Sequence, residues 1–119
     1  MNQPTILTYS GCGTCRKATA WLKSHQIAFN ERPIVDEPPT IDELTIWIPR
    51  SGLGIRKWLN TSGQSYRAMG KAKVDAATDA EILKWLAADG KLIKRPVLVT
   101  SKRILVGFRE EDYAAVLQT

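Results

Sequence analysis

The chain has 119 residues with 44% hydrophobic and 24% charged side chains and a formal charge of +5, the composition of one soluble globular domain. Its two cysteines are too few for a disulfide scaffold, and no apolar run approaches the roughly 20 residues that a membrane span needs. Residues 1–4 contain no basic segment followed by a long apolar stretch, so we expect no secretory signal, no membrane contact and a cytosolic location.

The hydrophobic spacing predicts one mixed α/β domain in the order strand-helix-strand, a helical middle, then strand-strand-helix. The predicted elements are a strand at 5–9, a helix at 14–25, a weaker strand at 28–35, a helix from 41, short helices at 55–59 and 66–69, a helix from 79 to about 90, strands at 96–100 and 103–106, and a helix at 110–117. The last two strands are expected to pair as a hairpin because only Ser101 and Lys102 lie between them.

Two of the helices predicted in the middle of the chain begin with a recognisable capping motif. Segments 40–43 and 78–81 both read Thr-x-x-Glu, the capping-box pattern that opens a helix. Pro49 is expected to kink or end the first of these helices, and Gly52 follows as a stop signal. The pattern therefore predicts a helical segment at about 40–90 between the two pairs of strands.

Basic charge is concentrated in two stretches, 44–74 and 90–109, which contain no acidic residue. Such stretches favour a positive surface that attracts oxyanions, acidic partners or nucleic acid, although scattered surface lysines would give the same balance. Since the chain has no base-reading motif and no basic segment studded with aromatic residues, we expect no direct contact with nucleic acid.

Both cysteines lie in one motif, Cys12-Gly13-Thr14-Cys15, between the first predicted strand and the first predicted helix. The unpaired N–H groups and the positive dipole end of a helix N-terminus favour thiolate over thiol. The two-residue spacer lets the second thiol reach the first across one helical turn. This placement predicts redox or nucleophilic chemistry.

Three other interpretations of the cysteines are open. A zinc site would need further ligands, but there is no second CxxC motif, and the single histidine, His25, falls at the end of the first predicted helix, where a helix cap is the simpler role. The thiols could also be inert core residues. A structural disulfide is disfavoured by the expected reducing compartment. We therefore expect no bound metal.

Seven segments spread along the chain form a sequence pattern that extends beyond the cysteine motif. They are CGTCRKA at 12–18, WL at 21–22, EPPTIDEL at 37–44, SGL at 51–53, NTSGQSYR at 60–67, DGKLIKRP at 89–96 and VGF at 106–108. In this order and spacing they resemble the arsenate reductase-like family that includes ArsC, Spx and YffB proteins, and most of all a poorly characterised Spx-like branch with a CxxC motif. The resemblance implies a thioredoxin-like fold, with a four-stranded mixed sheet flanked by helices, in a single domain covering 1–119.

The resemblance also implies roles for individual residues. Cys12 takes the place of the nucleophilic cysteine, and Cys15 is expected to resolve the adduct that Cys12 forms. Arg95 matches the arginine that lies beside the thiolate and contacts a bound oxyanion, and Pro96 matches the proline that follows a cis peptide bond.

Other oxyanion-binding positions of arsenate reductases are changed. The second arginine of those enzymes falls on Asn60, and the third falls on or near Gly107, with Arg109 close by. We therefore name Arg95, Pro96, Asn60 and Arg109 as candidate substrate-binding residues.

The function expected from this resemblance is thiol-dependent reduction of an oxyanion or a disulfide by a monomer without a bound cofactor. An external thiol donor, glutathione with glutaredoxin or thioredoxin, would return the electrons. The alternative is an Spx-like redox-sensing regulator that binds the RNA polymerase α-subunit through the region around Gly52.

Overall fold

The computed structural model describes residues 3–118; residues 1 and 2, on which the secretory-signal prediction partly rests, and residue 119 lie outside the described residues. The strands are β1 Thr5–Thr8, β2 Asn30–Pro33, β3 Val97–Val99 and β4 Ile104–Val106, and the α-helices are α1 Gly13–Ser24, α2 Ile41–Ser51, α3 Gln64–Met69, α4 Lys71–Ala76, α5 Asp79–Ala88 and α6 Glu110–Leu117. Two 3₁₀ helices cover Ile55–Trp58 and Gly90–Leu92.

The four strands form one mixed sheet in the order β2-β1-β3-β4. Strand β1 runs parallel to β2 and antiparallel to β3, and β3 and β4 pair as the expected hairpin. Leu7 stands opposite Val97. The carboxyl end of β1 therefore meets the segment that leads into β3, and this register positions the candidate site.

The chain divides into two compact units. The first contains the segments up to Pro33 and from Arg95 onward, and the second is 34–94. In the first unit the core joins sheet and helix side chains, namely Ile6, Ala18, Trp21, Leu22, Leu98 and Tyr113. The apolar face of α1 supplies three of these, as its spacing predicts.

The second unit contains α2 to α5 and both 3₁₀ helices. Its largest fully buried side chain is Trp58, whose indole N–H donates to Ser51 Oγ over 3.1 Å. Both predicted capping boxes are present, with Thr40 and Thr78 as N-caps. The α/β class and the four-stranded mixed sheet are confirmed, while the single-domain organisation stays a prediction.

Of the two effects expected of Pro49, an end of the helix does not occur, and the stop signal expected at Gly52 is confirmed. The helix continues to Ser51, where Ser51 Oγ donates to the Ile48 carbonyl, and it stops at Gly52, which has the left-handed φ of 73°. A proline so near the C-terminus removes a single N–H donor, so the last turn can close around it.

Several other elements also differ from the predictions. Helix α4 was not predicted at all, α5 ends at Ala88 rather than near 90, and β2 is shorter than 28–35. The C-cap of α5 is Asp89, and the chain then enters a 3₁₀ turn. Within the described residues, no helix is both long enough and apolar enough to cross a membrane.

Candidate dithiol active site

The site begins at the loop between β1 and α1. Cys12 is the N-cap residue of α1, and its Sγ accepts a hydrogen bond from the Cys15 backbone N–H over 3.1 Å. Cys12 thus uses its sulfur as other N-cap residues use a side-chain oxygen, to satisfy an N–H group in the first turn of the helix. This contact, together with the positive dipole end of the helix, stabilises negative charge on the sulfur.

The two thiols differ in their exposure to solvent. Cys12 is partly exposed, whereas Cys15 is only 2% exposed and packs into the core. Burial above all, and then a hydrogen bond with Cys12, raise the pKa of the Cys15 thiol to about 12, although a Tyr9 backbone hydrogen bond and the Arg95 charge act in the opposite direction. Cys15 is therefore held as a neutral thiol that donates toward the Cys12 sulfur.

Arg95 lies two residues before β3. It is half-buried, and its guanidinium carbon is 4.8 Å from the centroid of the Tyr9 ring, within the range of a cation–π contact. The Arg95 charge is close enough to lower the pKa of Cys15. The Arg95–Pro96 peptide bond is cis, as the resemblance implies.

The other two candidate substrate-binding residues, Arg109 and Asn60, lie in different surroundings. Arg109 is the N-cap of α6, is three-quarters exposed and lies 4.0 Å from the Asp112 carboxylate. Asn60 belongs to the unit 34–94, where its backbone N–H donates to the Leu92 carbonyl and its side-chain amide reaches the Lys91 carbonyl at 3.5 Å. The structure therefore brings Cys12, Cys15 and Arg95 into one neighbourhood, and oxyanion binding by Asn60 and Arg109 stays a prediction.

A pocket of about 440 Å³ opens beside Cys15, on the side where β1 and β2 end. Its walls include the charged side chains of Arg16 and Glu31. Thr8 Oγ1 donates to the Glu31 carboxylate over 2.7 Å, and the Arg16 guanidinium donates to the Ser10 carbonyl. The pocket therefore has one cationic and one anionic side chain in its walls, next to the buried Cys15 thiol.

The single histidine of the chain has a structural role. His25 is the C-cap of α1, with Nδ1 2.9 Å from the Trp21 carbonyl and its ring stacked on the Trp21 ring, so the helix-cap interpretation is confirmed. Across residues 3–118, no three His, Cys, Asp or Glu side chains are grouped so that they could hold a metal ion.

Sequence reasoning missed one residue of this site, Tyr9. The sequence signals only that it ends a strand. Since Leu7 stands opposite Val97, the next positions outward along the two antiparallel chains place Tyr9 across from Arg95. Strand register, which no local pattern reveals, was the information needed.

A mixed four-stranded sheet with a cysteine pair at the N-terminus of its first helix defines a thioredoxin-like thiol protein. The ArsC family model matches residues 7–116, and the chain belongs to the ArsC family.

Its relatives include proteins named as regulators. The chain is 42% identical over 110 residues to the uncharacterized protein YusI of Bacillus subtilis strain 168, covering 92% of this chain and 93% of YusI. It is 37% identical over 106 residues to the regulatory protein MgsR of the same organism, covering 89% and 83% of the two chains. It is 32% identical over 108 residues to the global transcriptional regulator Spx of Enterococcus faecalis strain V583, covering 91% and 81%.

Solved structures agree with this fold. An ArsC-family-related protein from Bacteroides fragilis superimposes with a TM-score of 0.92 at 41% identity, over 97% of this chain and 98% of that one. A "possible arsenate reductase" from Streptococcus mutans UA159 gives a TM-score of 0.84 at 40% identity, over 94% and 98%. The thioredoxin-like fold of the ArsC family is therefore shown for this chain.

Proposed function

We propose that this protein is a cytosolic thiol-dependent reductase in which Cys12 attacks the substrate and Cys15 resolves the adduct. One observation carries the proposal: a partly exposed sulfur at a helix N-cap lies next to a buried thiol one turn away. The exposed sulfur can meet a substrate, and the buried thiol is protected from reacting first.

With a disulfide substrate, the Cys12 thiolate attacks one sulfur, forms a mixed disulfide and releases the other sulfur as a thiolate. Cys15 then loses its proton and attacks the Cys12 sulfur, which breaks the mixed disulfide and releases the second substrate thiolate. The two electrons gained by the substrate come from the two cysteines, which are left as an intramolecular disulfide.

With a tetrahedral oxyanion, the Cys12 sulfur displaces one oxygen, which leaves as water after protonation. Attack of Cys15 on the Cys12 sulfur then leaves the electron pair on the central atom, which departs in its reduced form. Arg95 supports this step because a planar guanidinium suits both a thiolate and an incoming oxyanion.

Formation of the adduct also prepares Cys15 for its step. The hydrogen bond to Cys12 and the charge on Cys12 both raise the pKa of Cys15. Once the Cys12 sulfur is bonded to substrate, its charge is gone, while Tyr9 and Arg95 continue to favour the Cys15 thiolate. The second thiol is therefore easier to ionise after the first has reacted.

The test is a turnover assay with arsenate and with a small disulfide, each coupled to glutathione with glutaredoxin and to thioredoxin. We expect turnover with at least one pair and none in the Cys12→Ser variant. The Cys15→Ser variant should stop at a mixed disulfide that mass spectrometry detects. An exposed-site variant such as Ser62→Ala should behave as the wild type. Full activity in Cys12→Ser would overturn the proposal.

A second candidate function is favoured by a different observation. MgsR and Spx are named as regulators, and Ile46 on α2 and Leu53 after it are exposed apolar side chains on either side of Gly52. In this alternative the cysteine pair is a redox switch, and the region around Gly52 binds the RNA polymerase α-subunit.

Retention on immobilised RNA polymerase α-subunit tests this alternative. A regulator should be retained, and Ile46→Asp should abolish retention, whereas Ala20→Asp on the exposed side of α1 should not. If neither the oxidised nor the reduced protein were retained, the regulator function would be excluded and the reductase function would remain.

A further inference from the structure

Tyr9 has backbone contacts with both cysteines. Its carbonyl accepts a hydrogen bond from the Cys12 backbone N–H over 3.1 Å. A backbone hydrogen bond from Tyr9 also reaches the Cys15 thiol, where it favours the thiolate. The residue that directly follows β1 therefore holds the backbone of one cysteine and the sulfur of the other.

The Tyr9 ring makes a third contact, with Arg95. The guanidinium carbon is 4.8 Å from the ring centroid, and the negative face of an aromatic ring attracts such a cation. Strand register makes this contact possible, because the antiparallel pairing of Leu7 with Val97 places Tyr9 across from Arg95.

Gly11 allows the ring to occupy this position. A Cβ atom at residue 11 would lie 3.0 Å from Tyr9 Cε2 and 3.6 Å from Cδ2, so the ring lies against the glycine backbone. The ring therefore has contacts with both Gly11 and Arg95. An arginine side chain has several rotatable bonds, and contact with an aromatic surface reduces the number of positions its charge can take.

We propose that Tyr9 is a positioning residue that holds the Arg95 guanidinium beside the Cys12–Cys15 pair through its aromatic ring. The proposal rests on the proposed dithiol chemistry, but it concerns the reactivity of the sulfur and not the identity of the substrate. Arg95 supplies the charge, and Tyr9 fixes where that charge is.

The test is a double-mutant cycle read by the rate at which iodoacetamide alkylates Cys12 at neutral pH. Tyr9→Leu removes the aromatic face and should slow alkylation about threefold to tenfold, the range of one cation–π contact. Tyr9→Phe keeps the face and should remain within about twofold of the wild type. Arg95→Gln should slow alkylation at least as much as Tyr9→Leu, and adding Tyr9→Leu to Arg95→Gln should have little further effect.

Additive losses from Tyr9→Leu and Arg95→Gln would overturn the proposal, because independent residues do not share one interaction. If Tyr9→Leu fails to fold, phenylalanine and trifluorinated phenylalanine at position 9 replace it, since fluorine weakens the ring's negative face without changing its shape. Fluorination should slow alkylation when Arg95 is present and have no effect in Arg95→Gln. An equal effect in both backgrounds would also overturn the proposal.

A second measurement separates this proposal from the reductase function. The equilibrium constant of the Cys12–Cys15 disulfide with glutathione should shift toward the disulfide in Tyr9→Leu but not in Tyr9→Phe, because a displaced Arg95 no longer stabilises the reduced, thiolate form. This shift requires no substrate turnover. Shifts in alkylation and equilibrium without any turnover would refute the reductase and leave the role of Tyr9 standing.

Discussion

The Cys15 backbone N–H donates to the Cys12 sulfur over 3.1 Å, so the first turn of α1 holds the two cysteines in a fixed relation. The sulfur that can meet solvent is the helix cap, and the other is 2% exposed. The closeness of the two cysteines underlies the first prediction, and their difference in exposure underlies the second.

Mild oxidation with peroxide should convert the two thiols into an intramolecular disulfide. The reason is their CxxC spacing within one helical turn. Mass spectrometry should show a loss of about two daltons that dithiothreitol reverses, the mass of the two hydrogens released. The Cys15→Ser variant should instead form intermolecular disulfides or sulfenic acid at Cys12. A monomer that keeps both thiols after peroxide treatment would contradict this prediction.

Iodoacetamide at neutral pH should label Cys12 well before Cys15. Burial raises the pKa of Cys15 to about 12, so this thiol remains protonated and shielded. Peptide mapping at short times should find the label on Cys12 alone. Cys15 labelled first, or both labelled equally, would reverse the assigned roles.

The same pKa shift predicts how stability depends on alkaline pH. The pKa of Cys15 is raised from 9.0 to about 12 in the fold. Between those values the unfolded chain releases the Cys15 proton while the folded chain keeps it. The free energy of unfolding should therefore fall with pH, by at most about 1.4 kcal/mol per pH unit from this group.

Urea denaturation of the reduced protein across this pH range measures the effect. The Cys15→Ala variant is the matched control, since it retains Tyr113, whose pKa burial also raises. The wild type should lose stability with a steeper slope than the variant. Parallel slopes would mean that the Cys15 proton does not distinguish the folded and unfolded chains.

Arg95→Ala should slow alkylation of Cys12 near neutral pH by up to about tenfold, equivalent to ~1.4 kcal/mol. A cation near the dithiol stabilises the thiolate that reacts. Lys94→Ala is the neighbouring control and should have little effect, because Lys94 is exposed. If neither variant changed the rate, the oxyanion site would have to be sought elsewhere, with Arg109 as the next candidate.

Ser51→Ala should destabilise the protein by about 1–3 kcal/mol, because it leaves a buried indole N–H without its acceptor. Ser51 is 5% exposed, and its Oγ accepts from Trp58 and donates to the Ile48 carbonyl. In a Trp58→Phe background, which has no indole N–H, the same substitution should cost less. If Ser51→Ala lowered the free energy of unfolding equally in both backgrounds, the hydrogen bond to Trp58 would not be the cause of the loss.

Gly90→Ala should be far more destabilising than Gly54→Ala. A Cβ atom at residue 90 would fall 2.0 Å from the Ile34 carbonyl oxygen and 3.1 Å from Val35 Cα, so the backbone of one of these segments would have to move. A Cβ atom at residue 54 would meet nothing within 4 Å. Thermal unfolding should show a loss of about 1–3 kcal/mol or more for the first variant and little change for the second.

The fold was predictable where the signal is local. Side-chain caps and apolar spacing act within one or two helical turns, so the capping boxes before α2 and α5, and the whole of α6, were confirmed. Helix α4 was missed because it is only six residues long, from Lys71 to Ala76, and has no side-chain cap. Pro49 does not end α2, because its cost depends on how near it lies to the end of its helix, and the stop expected at Gly52 was confirmed.

The sequence by itself determined the chemistry available at the site: two cysteines, two residues apart, at the N-terminus of a helix. It also determined the charge balance and most of the helix starts. The expected fold already implied that Cys12 is the more exposed cysteine, but only the tertiary structure decided how completely Cys15 is buried and that the Tyr9 ring contacts Arg95. The reason is physical: burial and strand register depend on segments distant in the chain, whose pairing releases free energy only when the sheet and its helices assemble together.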